Sequence, residues 1–192
     1  DKLALFYEAC SQVEIDEFRD YSKALEALKE SLKYLNKVSR VVRSKVDELK
    51  SKIDSIERFL AIQKMNEEGG ASEPQNLEQM CRELLRDSEY AEAVRIGDIF
   101  ALLVEAYTTA GNKQRAYEIL LEMKDQKIEL GYYLSHSLLK DIAQSAGVPL
   151  SEFEDQNSKG GPANVESDPM YDPSQMQDED ESFQEEYLDE DI

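Results

Sequence analysis

IGDIFALLVEAYTTAGNKQRAYEILLEMKDQ, residues 96 to 126, is the stretch that decides the fold of this 192-residue chain. Its apolar residues return every three or four positions, the period of one face of an α-helix, on both sides of a break at Gly111. Phe100, Leu103 and Tyr107 share a face of the first helix, and Ala116 and Leu120 share a face of the second. A small residue at Ala116 lets the two helices approach closely, while Phe100 and Tyr107 fill space against an adjoining helix pair.

Bulky, small and aromatic residues at such offsets fit the tetratricopeptide repeat, a helix pair of about 34 residues. Val104 stands where that repeat has a small residue, so this is a degenerate copy. A weaker echo lies at Asp20 to Asn36, where Tyr21, Ala24, Leu28 and Ser31 fit a second helix. Its partner, around Ala4 to Ile15, fits poorly. Ala24 and Ala116 are 92 positions apart, not a multiple of the repeat, so irregular pairs or insertions intervene. The competing reading is an ordinary helical bundle.

The rest of the first 150 residues is helical in period, so the expected fold class is all-α, a tetratricopeptide-like helix-pair array. Leu25, Leu28, Leu32 and Leu35 are followed by Val42, Val46, Leu49, Ile53, Ile56 and Leu60 in the same rhythm. Residues 1–66 read as an irregular helix pair with a long helix, broken near Asn36 to Ser39, where Ser39 interrupts the seam. One continuous coiled-coil helix is the alternative. Residues 67–76, with Gly69, Gly70 and Pro74, read as a linker. Residues 77–150 hold a second helical group, over Leu77 to Arg86, Ala91 to Thr109, Lys113 to Lys127 and Ser135 to Ala146. Gly147 and Pro149 stop the last of these.

Residues 151–192 differ in kind. Fifteen acidic residues stand against one base, Lys159, giving −14 of the total net charge of −20. With few large apolar groups among them, this tail cannot offset the entropy of ordering and is expected to be disordered. The overall charge argues against sequence-independent nucleic-acid binding, which needs clustered Lys and Arg, and against anionic membranes. Cys10 and Cys81 form no C-x-x-C pair and are expected as reduced core thiols of an intracellular protein. No signal peptide or bilayer-spanning apolar stretch occurs. The first residue is Asp1 rather than Met, so the sequence is expected to be a piece of something longer.

Catalytic and cofactor chemistry finds no footing. His136 is the single histidine and has neither a triad nor a zinc ligand set around it. Asp178 to Glu181 lacks the glycine turn and closing Glu of a calcium loop. Gly69-Gly70 and Gly160-Gly161 precede no Lys-Ser/Thr helix start and are linkers, not phosphate loops. The expectation is a non-enzyme without cofactor or metal.

RELLRDSEYAEAVRIGDIFALLVEAYTTAGNKQRAYEILLEMK, most of all VRIGDIFALLVEAY and AYEILLEM, is similar to the C-terminal region of the intraflagellar transport 140 family, subunits of complex A. The resemblance covers most of residues 50 to 150, and the acidic tail is also like the end of that family. It implies a scaffold segment at the C-terminus of a subunit with two propellers followed by helical repeats. Its partners would be other complex A subunits in a hetero-oligomer, above all a sibling propeller-and-repeat subunit. The work would be retrograde transport and ciliary entry of membrane proteins, in the cilium or flagellum and at the basal body, and cytoplasmic. The family supplies no catalytic set to carry over.

Two surfaces are candidate partner contacts. Arg40, Arg43, Lys45, Lys50 and Lys52 give an acidic protein one basic stretch, suited to a partner's acidic surface. Phe183, Tyr187 and Leu188 sit at helical spacing within the tail. The alternative function is a coiled-coil adaptor that homodimerises through residues 25–60. A further rival is a regulatory domain whose acidic tail mimics nucleic acid.

Overall fold

The computed structural model describes residues 2–37, 43–69, 74–91 and 93–153, with backbone alone at 88–91. The described residues belong to one compact unit. They form eight α-helices and no strand: α1 Lys2–Asp16, α2 Tyr21–Leu35, α3 Arg43–Glu67, α4 Pro74–Ala91, α5 Ile96–Thr109, α6 Lys113–Asp125, α7 Leu130–Tyr133 and α8 His136–Ala146. A 3-10 turn, Leu150–Glu152, follows. Each helix packs chiefly on the next one in the chain, except that α6 meets α8 across the short α7. Nearest-neighbour packing of this kind is that of a helical-repeat array, in which every pair covers the flank of its neighbour.

Local chemistry sets most of the boundaries. Asp20, Asn112 and Ser135 are N-caps whose side chains accept from the backbone N–H of Lys23, Arg115 and Leu138, each satisfying an orphan donor of the first turn. Gly111 and Gly147 take left-handed φ of 79° and 71°. There the N–H of Asn112 reaches the carbonyl of Tyr107 and that of Val148 reaches Ala143, closing the helix end. Arg19 and Lys127 fill the same role at the ends of α1 and α6, with φ of 53° and 59°.

α2 and α3 are separate helices, α2 ending at Leu35; the expected interruption at Ser39 lies outside the described residues. Leu28, Leu49, Ile53 and Ile56 are buried in the chain's own core, so the seam of a coiled-coil dimer is occupied within the molecule. α4 begins at Pro74, three residues before the expected start, because proline suits the first turn, where no N–H partner is required. It also runs on to Ala91, and α5 begins at Ile96, so the expected break at residues 87–90 is helical. α7 is a helix that the periodicity does not predict. The ordered chain also passes Gly147: Phe153 is buried and meets the Tyr117 ring edge-on at 5.9 Å.

One continuous core runs through the array, from Ile15 and Tyr21 past Phe59, Leu84 and Phe100 to Ile142. Fully burying each such side chain contributes roughly 1.5–3 kcal/mol. Ala24 and Ala116 are wholly buried, and both sit on helices that press closely on the helix before them. α1 and α2 form the most extensively packed pair although α1 matches the repeat pattern poorly. The Ser31 hydroxyl donates to the carbonyl of Ala4 at 2.8 Å, and Tyr7 stacks on Tyr34 at 5.6 Å.

Candidate interaction surfaces

The residues expected to form the repeat frame lie on α5, α6 and the turn between them. Phe100, Leu103, Tyr107, Ala116 and Leu120 are all buried, and Gly111 makes the turn between α5 and α6. Val104 is buried as well, so the degenerate position is accommodated inside the core. The phenol of Tyr107 reaches α4, donating to Glu78 at 2.5 Å.

Glu78 is the centre of a charged cluster on three helices. Its carboxylate accepts from Tyr107, from Arg115 Nε and Nη2 at 3.3 and 2.5 Å, and from Arg82 Nη2 at 3.1 Å. Arg82 also clasps Glu122 through two bonds of 2.6 and 2.9 Å, in the bidentate geometry that guanidinium groups favour. Partial burial pushes the Glu78 carboxyl up, but the bonds from Arg115, Tyr107 and Arg82 outweigh it and hold the pKa at about 2. Burial together with the Glu78 charge pushes Tyr107 up to about 12.

A second cluster joins the first helix pair to α5 and α7. Asp98, in the first turn of α5 and only 5% exposed, accepts from Tyr21 at 2.6 Å and from Arg19 Nε at 2.7 Å. Tyr21 in turn accepts from the backbone N–H of Arg95 at 3.1 Å. The Arg19 guanidinium lies 5.2 Å from the Tyr133 ring, and that of Arg95 lies 4.9 Å from Tyr132.

The expected partner-contact residues fare differently. Lys45 bonds Glu8 at 2.9 Å and Glu48 at 3.3 Å, and Lys52 bonds Glu48 at 3.1 Å. These two lysines therefore fasten α3 to α1 and to itself. Arg43 and Lys50 are exposed on α3. Arg40, Phe183, Tyr187 and Leu188 lie outside the described residues.

The surface that sequence reasoning missed is on α1. Leu3, Leu5, Phe6 and Val13 are between 50% and 60% exposed, and Phe18, just past the helix, is 67% exposed. These are five of the eight large apolar side chains that stand out to solvent among the described residues. The signal was present in LALFY, residues 3–7, which is apolar all round. A helix of that kind has apolar neighbours on more than one side, and α2 covers only one.

Among the described residues there is no cluster of His, Cys, Asp or Glu fit to hold a metal, and no helix is long and apolar enough to cross a membrane. His136 is exposed at the start of α8. Both cysteines are free, and burial pushes the Cys81 thiol up to about 12, the wrong direction for a nucleophile. The organised features among the described residues are thus helix-to-helix clasps and a set of exposed apolar side chains on and beside α1. The family model for the C-terminal TPR domain of intraflagellar transport protein 140 matches residues 1–124, the greater part of the chain, and the chain belongs to that family of intraflagellar-transport scaffolds.

Proposed function

We propose that this chain is a non-catalytic scaffold segment of intraflagellar transport complex A, working by burial of apolar helix faces against sibling subunits. The observation that carries the reading is the exposure of five large apolar side chains on and just after α1, Leu3, Leu5, Phe6, Val13 and Phe18. In an array each helix flank is covered by another helical element, and exposed apolar side chains of this kind are where such an element can pack. A sibling propeller-and-repeat subunit is the occupant we propose. The proposed setting is the cilium and basal body, in retrograde transport and in ciliary entry of membrane proteins. Neither nucleic acid nor direct membrane insertion belongs to the reading, since the net charge is −20.

The test is affinity capture from ciliated cells with the whole chain and with a Leu5→Lys/Phe6→Lys variant, read by mass spectrometry. Both side chains are exposed, so the variant keeps its helical circular dichroism. Complex A subunits recovered with the native chain and lost with the variant support the scaffold reading. Equal recovery by both places the contact elsewhere and overturns the α1 assignment. Recovery of the bait's own copies alone favours the homodimeric adaptor.

A further inference from the structure

A cleft of about 490 Å³ opens between the start of α5 and the segment joining α6 to α7, lined by Arg95, Ile96, Lys127, Glu129, Tyr132 and Tyr133. Two of these are cations without a carboxylate partner among the described residues. Arg95 donates to the Tyr132 hydroxyl at 3.0 Å and to the carbonyl of Asp16 at 3.3 Å, both neutral acceptors. Lys127 makes no ion pair among the described residues, and its left-handed backbone at the end of α6 fixes where its side chain starts.

Arg95 differs from the free surface lysines because it is held. Its guanidinium lies 4.9 Å from the Tyr132 ring and 5.6 Å from Tyr133. Tyr133 can occupy that place only because residue 97 is glycine, where an added Cβ would come within 2.2 Å of the ring. Arg19 flanks the same rings from Asp98, so its charge is neutralised while that of Arg95 is not. Beside the cations, Ile96 is 39% exposed and Tyr132 46% exposed, an apolar floor at the mouth of the cleft. Glu129 stands on the rim and offsets one of the two positive charges. One positive charge remains, in a chain whose overall charge is −20.

We propose that this cleft binds an acidic peptide segment of a partner protein. A carboxylate of the segment takes the vacant donors of Arg95 with Lys127 beside it, and a neighbouring aromatic or aliphatic side chain lies on Ile96 and Tyr132. The pre-placed fork of Arg95 matches a carboxylate, and its stacking has already cost the side chain its freedom. This surface is separate from the α1 face, so either assignment can fail alone.

The experiment is fluorescence anisotropy with the whole chain and a labelled EDFEEL peptide, with QNFQQL as the neutral control. The acidic peptide binds saturably, and the neutral one binds at least about tenfold more weakly, the scale of one lost charged contact. Arg95→Gln and Lys127→Asn each weaken binding by a similar factor, Asn being chosen because it tolerates the left-handed backbone. Glu129→Gln tightens binding, and Lys50→Gln and Leu5→Lys/Phe6→Lys leave it unchanged. Lys127 and Glu129 are exposed on a connecting segment, so their variants fold even where Arg95→Gln does not. Absence of saturable binding, equal weakening by Lys50→Gln, or no response to Lys127→Asn and Glu129→Gln overturns the proposal. Displacement of the peptide by inorganic phosphate at equal concentration reassigns the cleft to small anions and overturns it too.

Discussion

The hydroxyl of Tyr21 donates to Oδ2 of Asp98 at 2.6 Å, joining residues 77 positions apart and fastening α2 to the first turn of α5. Both groups are buried, and the phenol is pushed far above its ordinary pKa by burial and by the Asp98 charge. The bond therefore holds a proton donor and an ion in a low-dielectric site, where leaving either unpaired is costly. Asp98→Ala strands the buried Tyr21 hydroxyl and removes the ion partner of the part-exposed Arg19, and costs about 1.5–3 kcal/mol. Tyr21→Phe strands one carboxylate oxygen and costs about 1.5–3 kcal/mol. Urea unfolding of both single variants and the double variant gives a coupling of 1 kcal/mol or more, roughly the figure for residues in contact. Strictly additive losses would show that the clasp is not what joins the helix pairs.

Glu78 gives the stability of the array an acid limb. Its folded pKa of about 2 lies below the ordinary 4.5. The folded state thus binds its proton less readily than the unfolded chain does. The contribution is present in full above pH 4.5 and is lost as pH falls from 4.5 towards 2. Glu78→Gln removes the charge that Arg82, Arg115 and Tyr107 address and lowers stability by about 1–3 kcal/mol at neutral pH. The gap between native and variant chains, followed by urea unfolding down to about pH 2.5, narrows through that window. A gap that stays constant would mean that the clasp does not depend on an ionised Glu78.

The burial of Phe100, Leu103, Tyr107, Ala116 and Leu120 was legible because helical period and side-chain size are local properties of sequence. Gly111 and Gly147 were legible for the same reason, since a left-handed residue after a helix favours glycine. What was not legible depends on distant partners. Arg95 begins α5 without a side-chain cap; its N–H goes to Tyr21, 74 residues away. Nothing near residue 95 announces that boundary. α7 has four residues, too few to show a period, and its place follows from burying Leu130 and Leu134. The basic stretch reads as a free face because the Glu8 that pairs with Lys45 lies 37 residues earlier. α1 is hard to place because a helix apolar on several sides has no single stripe to match.

Tyr107 separates packing from polarity in the repeat frame. Tyr107→Phe keeps the ring and loses only the bond to Glu78, costing about 1.5–3 kcal/mol. Tyr107→Asp puts a carboxylate into a site 2% exposed and beside Glu78, where no new cation compensates it. That costs several kcal/mol and unfolds the α5–α6 pair. Circular dichroism melts distinguish the two: a lowered midpoint with full helical signal for Phe, and loss of signal at room temperature for Asp. Near-identical melts would show that the position tolerates charge and is not part of the core.

Gly97 and Tyr133 make a prediction whose sign reverses with its background. Glycine inside a helix is ordinarily about 1 kcal/mol worse than alanine, so a first-turn Gly97→Ala would by propensity alone stabilise α5. Three atoms of the Tyr133 ring, however, lie 2.2 to 2.5 Å from where the new Cβ would be. The ring must swing out and leave the guanidinium groups of Arg19 and Arg95. Overpacking of this kind costs about 1–3 kcal/mol, and a lost cation–π contact adds about 0.5–1 kcal/mol. The net effect of Gly97→Ala is destabilising in the native chain. With Tyr133→Ala already in place the clash is gone, and the same Gly97→Ala change becomes neutral or stabilising by up to about 1 kcal/mol. Thermal melts of the four chains decide it: a loss of the same size in both backgrounds would mean that the ring does not rest on Gly97.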